Sequence, residues 1–131
     1  MPIIGGTGRL KTWTGNYDFA VDGGAVSTIT LRSNDGPLPS GAYVVGGVLD
    51  VSTALDSGGS ATAALQVNGA NDVINAAAFG GAPWSTTGQK DIIPDNTGST
   101  AIELTADREP KLVIATAALT AGVFKLVLEY I

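Results

Sequence analysis

Hydrophobic and polar residues alternate with a period of two along most of the chain, and Gly, Pro, Asn and Asp interrupt the alternation. This is the pattern of half-buried β-strands joined by turns. Over Trp13 to Val21 the residues Trp13, Tyr17, Phe19 and Val21 fall on one face, and Thr14, Asn16 and Asp18 on the other. Asp22-Gly23-Gly24 ends that strand. Over Val26 to Arg32, Ile29 and Leu31 oppose Thr28, Thr30 and Arg32. The segment Asn34 to Gly41 holds Pro37 and Pro39 and cannot sustain a ladder, because proline donates no backbone hydrogen bond.

A longer strand is predicted over Tyr43 to Thr53, with Gly46-Gly47 suited to a bulge. After Asp56-Ser57-Gly58-Gly59, a strand over Ala61 to Val67 leads into Asn68-Gly69. Both of those residues tolerate positive φ, so a type I′ hairpin is expected there. The return strand is expected over Asp72 to Phe79. Gly80 to Ser99 reads as a long irregular loop containing Pro83, Trp84 and Pro94. Strands over Thr100 to Ala106, Lys111 to Thr116 and Val123 to Ile131 complete the set. The last places Phe124, Leu126, Leu128 and Tyr130 opposite Lys125 and Glu129. About eight strands at this spacing predict an all-β, antiparallel β-sandwich, jelly-roll-like rather than immunoglobulin-like.

The 131 residues suit one domain. Residues 1–12 carry Arg9 and Lys11 and no acid, whereas the remainder carries seven more acidic than basic side chains. The expected organisation is a flexible, basic N-terminal arm over 1–12 and a single sandwich over 13–131. Only 15% of residues are charged, against roughly 25% in ordinary soluble domains. That shortage fits a surface partly covered by neighbouring copies.

The chain holds neither Cys nor His. Disulfides, Cys/His zinc sites and Ser-His-Asp or Cys-His catalysis are therefore excluded. No phosphate-binding loop or nucleophile elbow is present, and Gly6-Thr7-Gly8 lacks the third glycine of a dinucleotide fingerprint. The net charge of −5 disfavours nucleic acid. No apolar run reaches the length of a membrane span or secretory signal, so no membrane partner is expected. Asp91, Asp95 and Asn96 match no calcium-loop spacing and read as turn chemistry. Asp18, Asp22 and Asp35 have turn or solvated-face roles that outweigh a glycosidase-like pair. The expectation is no enzyme, no catalytic residue, no metal and no cofactor. Trp84, beside Pro83 in the long loop, either covers one end of the sandwich or anchors an interface, with a sugar platform a weaker reading.

Two runs, Tyr17 to Gly24 and Ile29 to Gly41, resemble small virion structural proteins of tailed bacteriophages. Gly81 to Thr86 and Leu112 to Gly122 are similar to the same group, so the likeness spans about residues 16–131. The resemblance implies a capsid decoration (cement) protein. Such a protein is made in the host cytoplasm, binds the outside of the assembled head through the major capsid protein, and is commonly a homotrimer. It implies no catalysis. With it, Arg9, Leu10 and Lys11 become candidates for a capsid-binding arm, and Trp84 and Pro83 for an interface. Two alternatives remain: a tail or baseplate protein of the virion, or a carbohydrate-binding sandwich using Trp84, Tyr43 or Trp13.

Overall fold

The computed structural model describes residues 10–92 and 102–131. Among these residues nine strands form two antiparallel sheets: β1 (Lys11–Asp18), β2 (Ser27–Thr30), β3 (Tyr43–Ser57), β4 (Thr62–Gln66), β5 (Ile74–Ala78), β6 (Gly88–Ile92), β7 (Ile102–Glu103), β8 (Lys111–Ala115) and β9 (Leu119–Tyr130). One sheet runs β1-β9-β3-β6, with β7 also paired to β3, and the other runs β2-β8-β4-β5. The first strand pairs with the last, β2 with β8, β3 with β6 and β7, and β4 with β5. The chain is thus one long hairpin wound across two sheets, the topology of a jelly roll.

The alternation predicted from sequence builds the core. Trp13 and Tyr17 of β1, Leu49 and Val51 of β3, Leu112 and Ile114 of β8, and Phe124, Leu126 and Leu128 of β9 are all buried between the sheets. Gly15 lies on the same inward face of β1 as Trp13 and Tyr17. A Cβ there would come within 2.2 Å of the Trp13 ring, so only glycine lets the indole lie over the strand. The bulge expected at Gly46-Gly47 is present as a register shift between Val44 and Gly46.

Four expectations need correction. The first strand stops at Asp18, and Phe19–Asp22 form a single helical turn (α1), which leaves Val21 exposed. The local chemistry dictates this. The Asp18 carboxylate accepts from the Ala20 N–H, Asp22 accepts from the Asp18 N–H, and Gly23 ends the turn at φ 79°. Asn68-Gly69 does not form a two-residue hairpin. The Asp72 carboxylate instead gathers the N–H groups of Val67, Asn68 and Gly69, and the positive φ falls at Asn71. The stretch Gly80 to Ser99 contains strand β6, whose sequence GQKDI carries no alternation because it lies at the edge of its sheet. Finally, β9 starts at Leu119 rather than Val123.

Cross-links close both sides of the sandwich. On one, Asn16 and Arg32 exchange backbone hydrogen bonds at 2.8 and 3.1 Å, and the Trp13 indole donates to Gly36 O at 2.7 Å. On the other, the loop from β5 to β6 carries Trp84 into the core. Its indole N–H donates to Ala63 O at 3.1 Å, and its own carbonyl accepts from the Leu55 N–H.

Candidate interaction surface

Among the described residues no charged side chain is buried, and no three Asp or Glu side chains converge where they could hold a metal ion. What the fold presents is surface, and the outer face of the first sheet is its most differentiated part.

Register assigns that face row by row. Asn16 of β1, Lys125 of β9 and Asp50 of β3 form one row near α1. With Asp18, Arg32 and Ser52 they line a shallow depression of about 400 Å³. Asp22 holds Arg32 at 2.8 Å, which keeps the guanidinium charged and raises its pKa. Beneath, the Tyr17 hydroxyl donates to Gly23 O at 2.6 Å. Burial, and then the nearby Asp22 and Asp18 carboxylates, push this phenol up to about 12.

At the opposite end the face gathers exposed apolar side chains beside Glu103 and Glu129. Tyr43 and Ile131 exchange backbone hydrogen bonds at 2.9 and 3.0 Å, so they sit side by side. Leu10, one residue before the Lys11–Tyr130 pair, is level with Ile131 on the neighbouring strand. The bulge before Gly46 adds Val45 to the same end. Leu10, Tyr43, Val45 and Ile131 are 40–53% exposed, which makes this the largest cluster of exposed large hydrophobic side chains on the first sheet.

The sequence candidates fall in different places. Arg9 lies outside the described residues, as do Asp95 and Asn96. Leu10 is exposed, and Lys11 with Thr12 already belongs to β1, paired with Tyr130 and Glu129. The expected arm over 1–12 therefore overlaps the sandwich by two residues.

Trp84 is a core residue with 0% exposure, its ring tilted against Phe124 with centroids 5.4 Å apart, and Phe124 in turn lies 5.3 Å from Tyr17. Of the three roles open to it, cover, interface and sugar platform, its burial fits the covering one, and its ring is enclosed by the protein itself. The reason is volume: the gap between the sheets beside β4 takes an indole and satisfies its N–H. Pro83 remains half-buried at the rim of a second depression of about 420 Å³, between β5 and β6, with Ile74, Ala77 and Asp91. Trp13 is also buried, so of the three aromatics considered for a sugar platform only Tyr43 is exposed. Sequence reading passed over Val45 and Ile131. The signal available was the outward alternation of Tyr43 and Val45 around buried Val44.

Three solved structures share this fold. A chain in the cyanophage Pam1 capsid asymmetric unit aligns with a TM-score of 0.66 at 21% identity, covering 99% of this chain and 89% of that one. A chain in the capsid of Ralstonia phage GP4 aligns at 0.67 and 22%, covering 99% and 88%. A chain in the acid-stable capsid of Helicobacter pylori bacteriophage KHP30 aligns at 0.60 and 13%, covering 92% and 86%. The likeness is one of fold, end to end, with chains barely longer than this one. No protein-family profile and no curated protein matches the sequence.

Proposed function

We propose that this chain is a structural protein of a bacteriophage head, of the decoration type, which binds the outer surface of the assembled shell as a homotrimer and stabilises it without catalysis. The observation that carries this reading is the fold shared over nearly the whole chain with chains of three phage capsids, each of similar length. A small, separate domain of this kind suits addition to a shell rather than construction of it. The partner is the major capsid protein, contacted in part by a basic arm of residues 1–12, of which Lys11 and Thr12 are the anchor in β1.

The mechanism is linkage. A protein that binds the mature shell and not its dissociated subunits stabilises the shell by RT ln(1 + [L]/Kd), about 2.7 kcal/mol at a hundredfold excess over Kd. Trimeric presentation raises avidity, because after one arm docks the others bind at high effective concentration. The test is co-sedimentation of the purified protein with mature heads that lack it, followed by heating. Saturable binding with a raised temperature of DNA release supports the reading; failure to sediment with heads overturns it.

A further inference from the structure

We infer that strand β5 is an open sheet edge to which an extended segment of the major capsid protein adds as a further strand, an inference that rests on the proposed function and locates its contact. A sheet edge is a row of backbone donors and acceptors, and proteins seal or charge such rows unless something pairs with them. Among the described residues the two sheets end in β1, β6, β2 and β5. These four edges are not treated alike.

The β1 edge is sealed from within. The Thr14 N–H donates to Asp35 at 2.8 Å, and Thr14 O accepts from the Ser33 hydroxyl. Asn16 exchanges two backbone bonds with Arg32, and the Asp18 N–H donates to Asp22. The Asn16–Arg32 bridge also ties the chain leaving β2 to β1. Strand β6 carries Lys90 and Asp91, and charge of this kind deters edge pairing. Strand β5, with the sequence INAAA, has neither charge nor proline. Its pairing with β4 extends past both ends, from Val73 N–H to Leu65 O and from Phe79 N–H to Ala61 O. Counting back from Phe79, alternation turns the backbone groups of Ala78 and Ala76 away from β4. The Ala78 carbonyl accepts from the Gly81 N–H. The Ala78 N–H and both groups of Ala76 have no partner among the described residues, and both alanines are exposed.

The space beside this edge suits an incoming strand. Ile74, Ala77, Ala82, Pro83 and Ile92 give the depression of about 420 Å³ between β5 and β6 an apolar lining, and exposed Asp91 is its one charged residue. Outward N–H and C=O groups in a row are matched by an extended backbone. The depression then takes an aliphatic side chain from that segment, and Asp91 takes a Lys or Arg. A second copy fits poorly, because its other edges are sealed, tied or charged. Pairing β5 with β5 is a two-fold contact, which closes a dimer and not a three-fold ring.

The experiment is co-sedimentation of the full chain with mature heads that lack it, titrated to give an affinity. Ala76→Pro removes the outward N–H and keeps the pairing with β4, since proline is tolerated where the N–H faces away from the ladder. Asp91→Lys reverses the charge beside the edge. Each is expected to weaken binding by about tenfold or more. Thr28→Pro places the same residue in β2, the other edge of that sheet, and is expected to bind as the wild type does. The far-UV spectrum and thermal midpoint report folding. If Ala76→Pro unfolds, Asp91→Lys at its exposed position still decides.

A folded Ala76→Pro or Asp91→Lys protein that binds heads like the wild type overturns the inference and leaves the proposed function standing. An equal loss in Thr28→Pro does the same, since the effect then belongs to proline and not to β5. So does a wild-type dimer in light scattering that Ala76→Pro splits, because a second copy then holds the edge. A wild type that fails to sediment with heads overturns the inference and the proposed function together.

Discussion

The Trp84 indole N–H donates to the Ala63 carbonyl at 3.1 Å, inside the core, and so fastens the loop between β5 and β6 to strand β4. The ring beyond that bond rests on Phe124 of the opposite sheet. One side chain thus joins a loop, the central part of one sheet and the last strand of the other. Trp84→Ala is expected to destabilise the fold by about 3–5 kcal/mol through the cavity it leaves. Trp84→Phe keeps most of the volume and loses the hydrogen bond, at about 1–3 kcal/mol. Urea unfolding of the three proteins checks both the size and the order.

Tyr17 supplies an alkaline signature. Its folded pKa is raised to about 12, above the ordinary phenol value of 10.0, so the folded state favours the protonated form. Its stabilisation is complete below pH 10 and is lost as pH rises toward 12, because the unfolded chain releases its proton first. The thermal midpoint is expected to fall across that window in the wild type. In Tyr17→Phe the fall should be shallower, from a starting point lowered by about 1 kcal/mol for the lost bond to Gly23 O.

The partners in the Asp22–Arg32 ion pair are unequal. Arg32 is half exposed and its charge is screened by solvent, so removing it by Arg32→Ala should change stability little. Asp22 also accepts from the Asp18 N–H at the start of α1. Asp22→Ala therefore removes an ion pair and the partner of a backbone donor, and is expected to cost about 1–2 kcal/mol. Chemical denaturation at low and high salt separates the effects, since only the ionic part is screened.

Two glycines give opposite outcomes. A Cβ on Gly47 would come within 2.2 Å of Val127 O in the adjacent strand, whereas one on Gly58 meets nothing within 4 Å. Gly47→Ala is expected to lose about 1–3 kcal/mol by forcing β3 from β9. Gly58→Ala should stay within about 0.5 kcal/mol of the wild type. Thermal midpoints measured in one buffer suffice to compare them.

The parts of this fold legible in the sequence are those where one face is buried and the other wet. Trp13 and Tyr17, Ile29 and Leu31, and Phe124 through Leu128 announce their strands because water lies on one side and the core on the other. That logic fails at β6, an edge strand whose residues Gly88 to Asp91 have little to bury. It fails again at Phe19 and Val21, where the alternation continues in sequence but the Asp18 and Asp22 carboxylates impose a helical turn. Asn68-Gly69 carries strong turn chemistry, yet three hydrogen bonds to Asp72 outweigh it.

The surface was less legible for a related reason. Whether Trp84 faces in or out depends on Phe124 and Ala63, distant in sequence. Tyr43 and Ile131 become neighbours only through the pairing of β3 with β9. Nothing local in either segment marks them as parts of one patch.

The central claim is that this sandwich is a component added to the outside of a phage head. The most direct measurement is cryo-electron microscopy of mature heads assembled without the protein, imaged before and after it is added in excess. The account predicts new density on the outer surface only, repeated at equivalent lattice positions, into which the two sheets fit as three copies around an axis. Heads unchanged by the addition, or density confined to the tail, would contradict it.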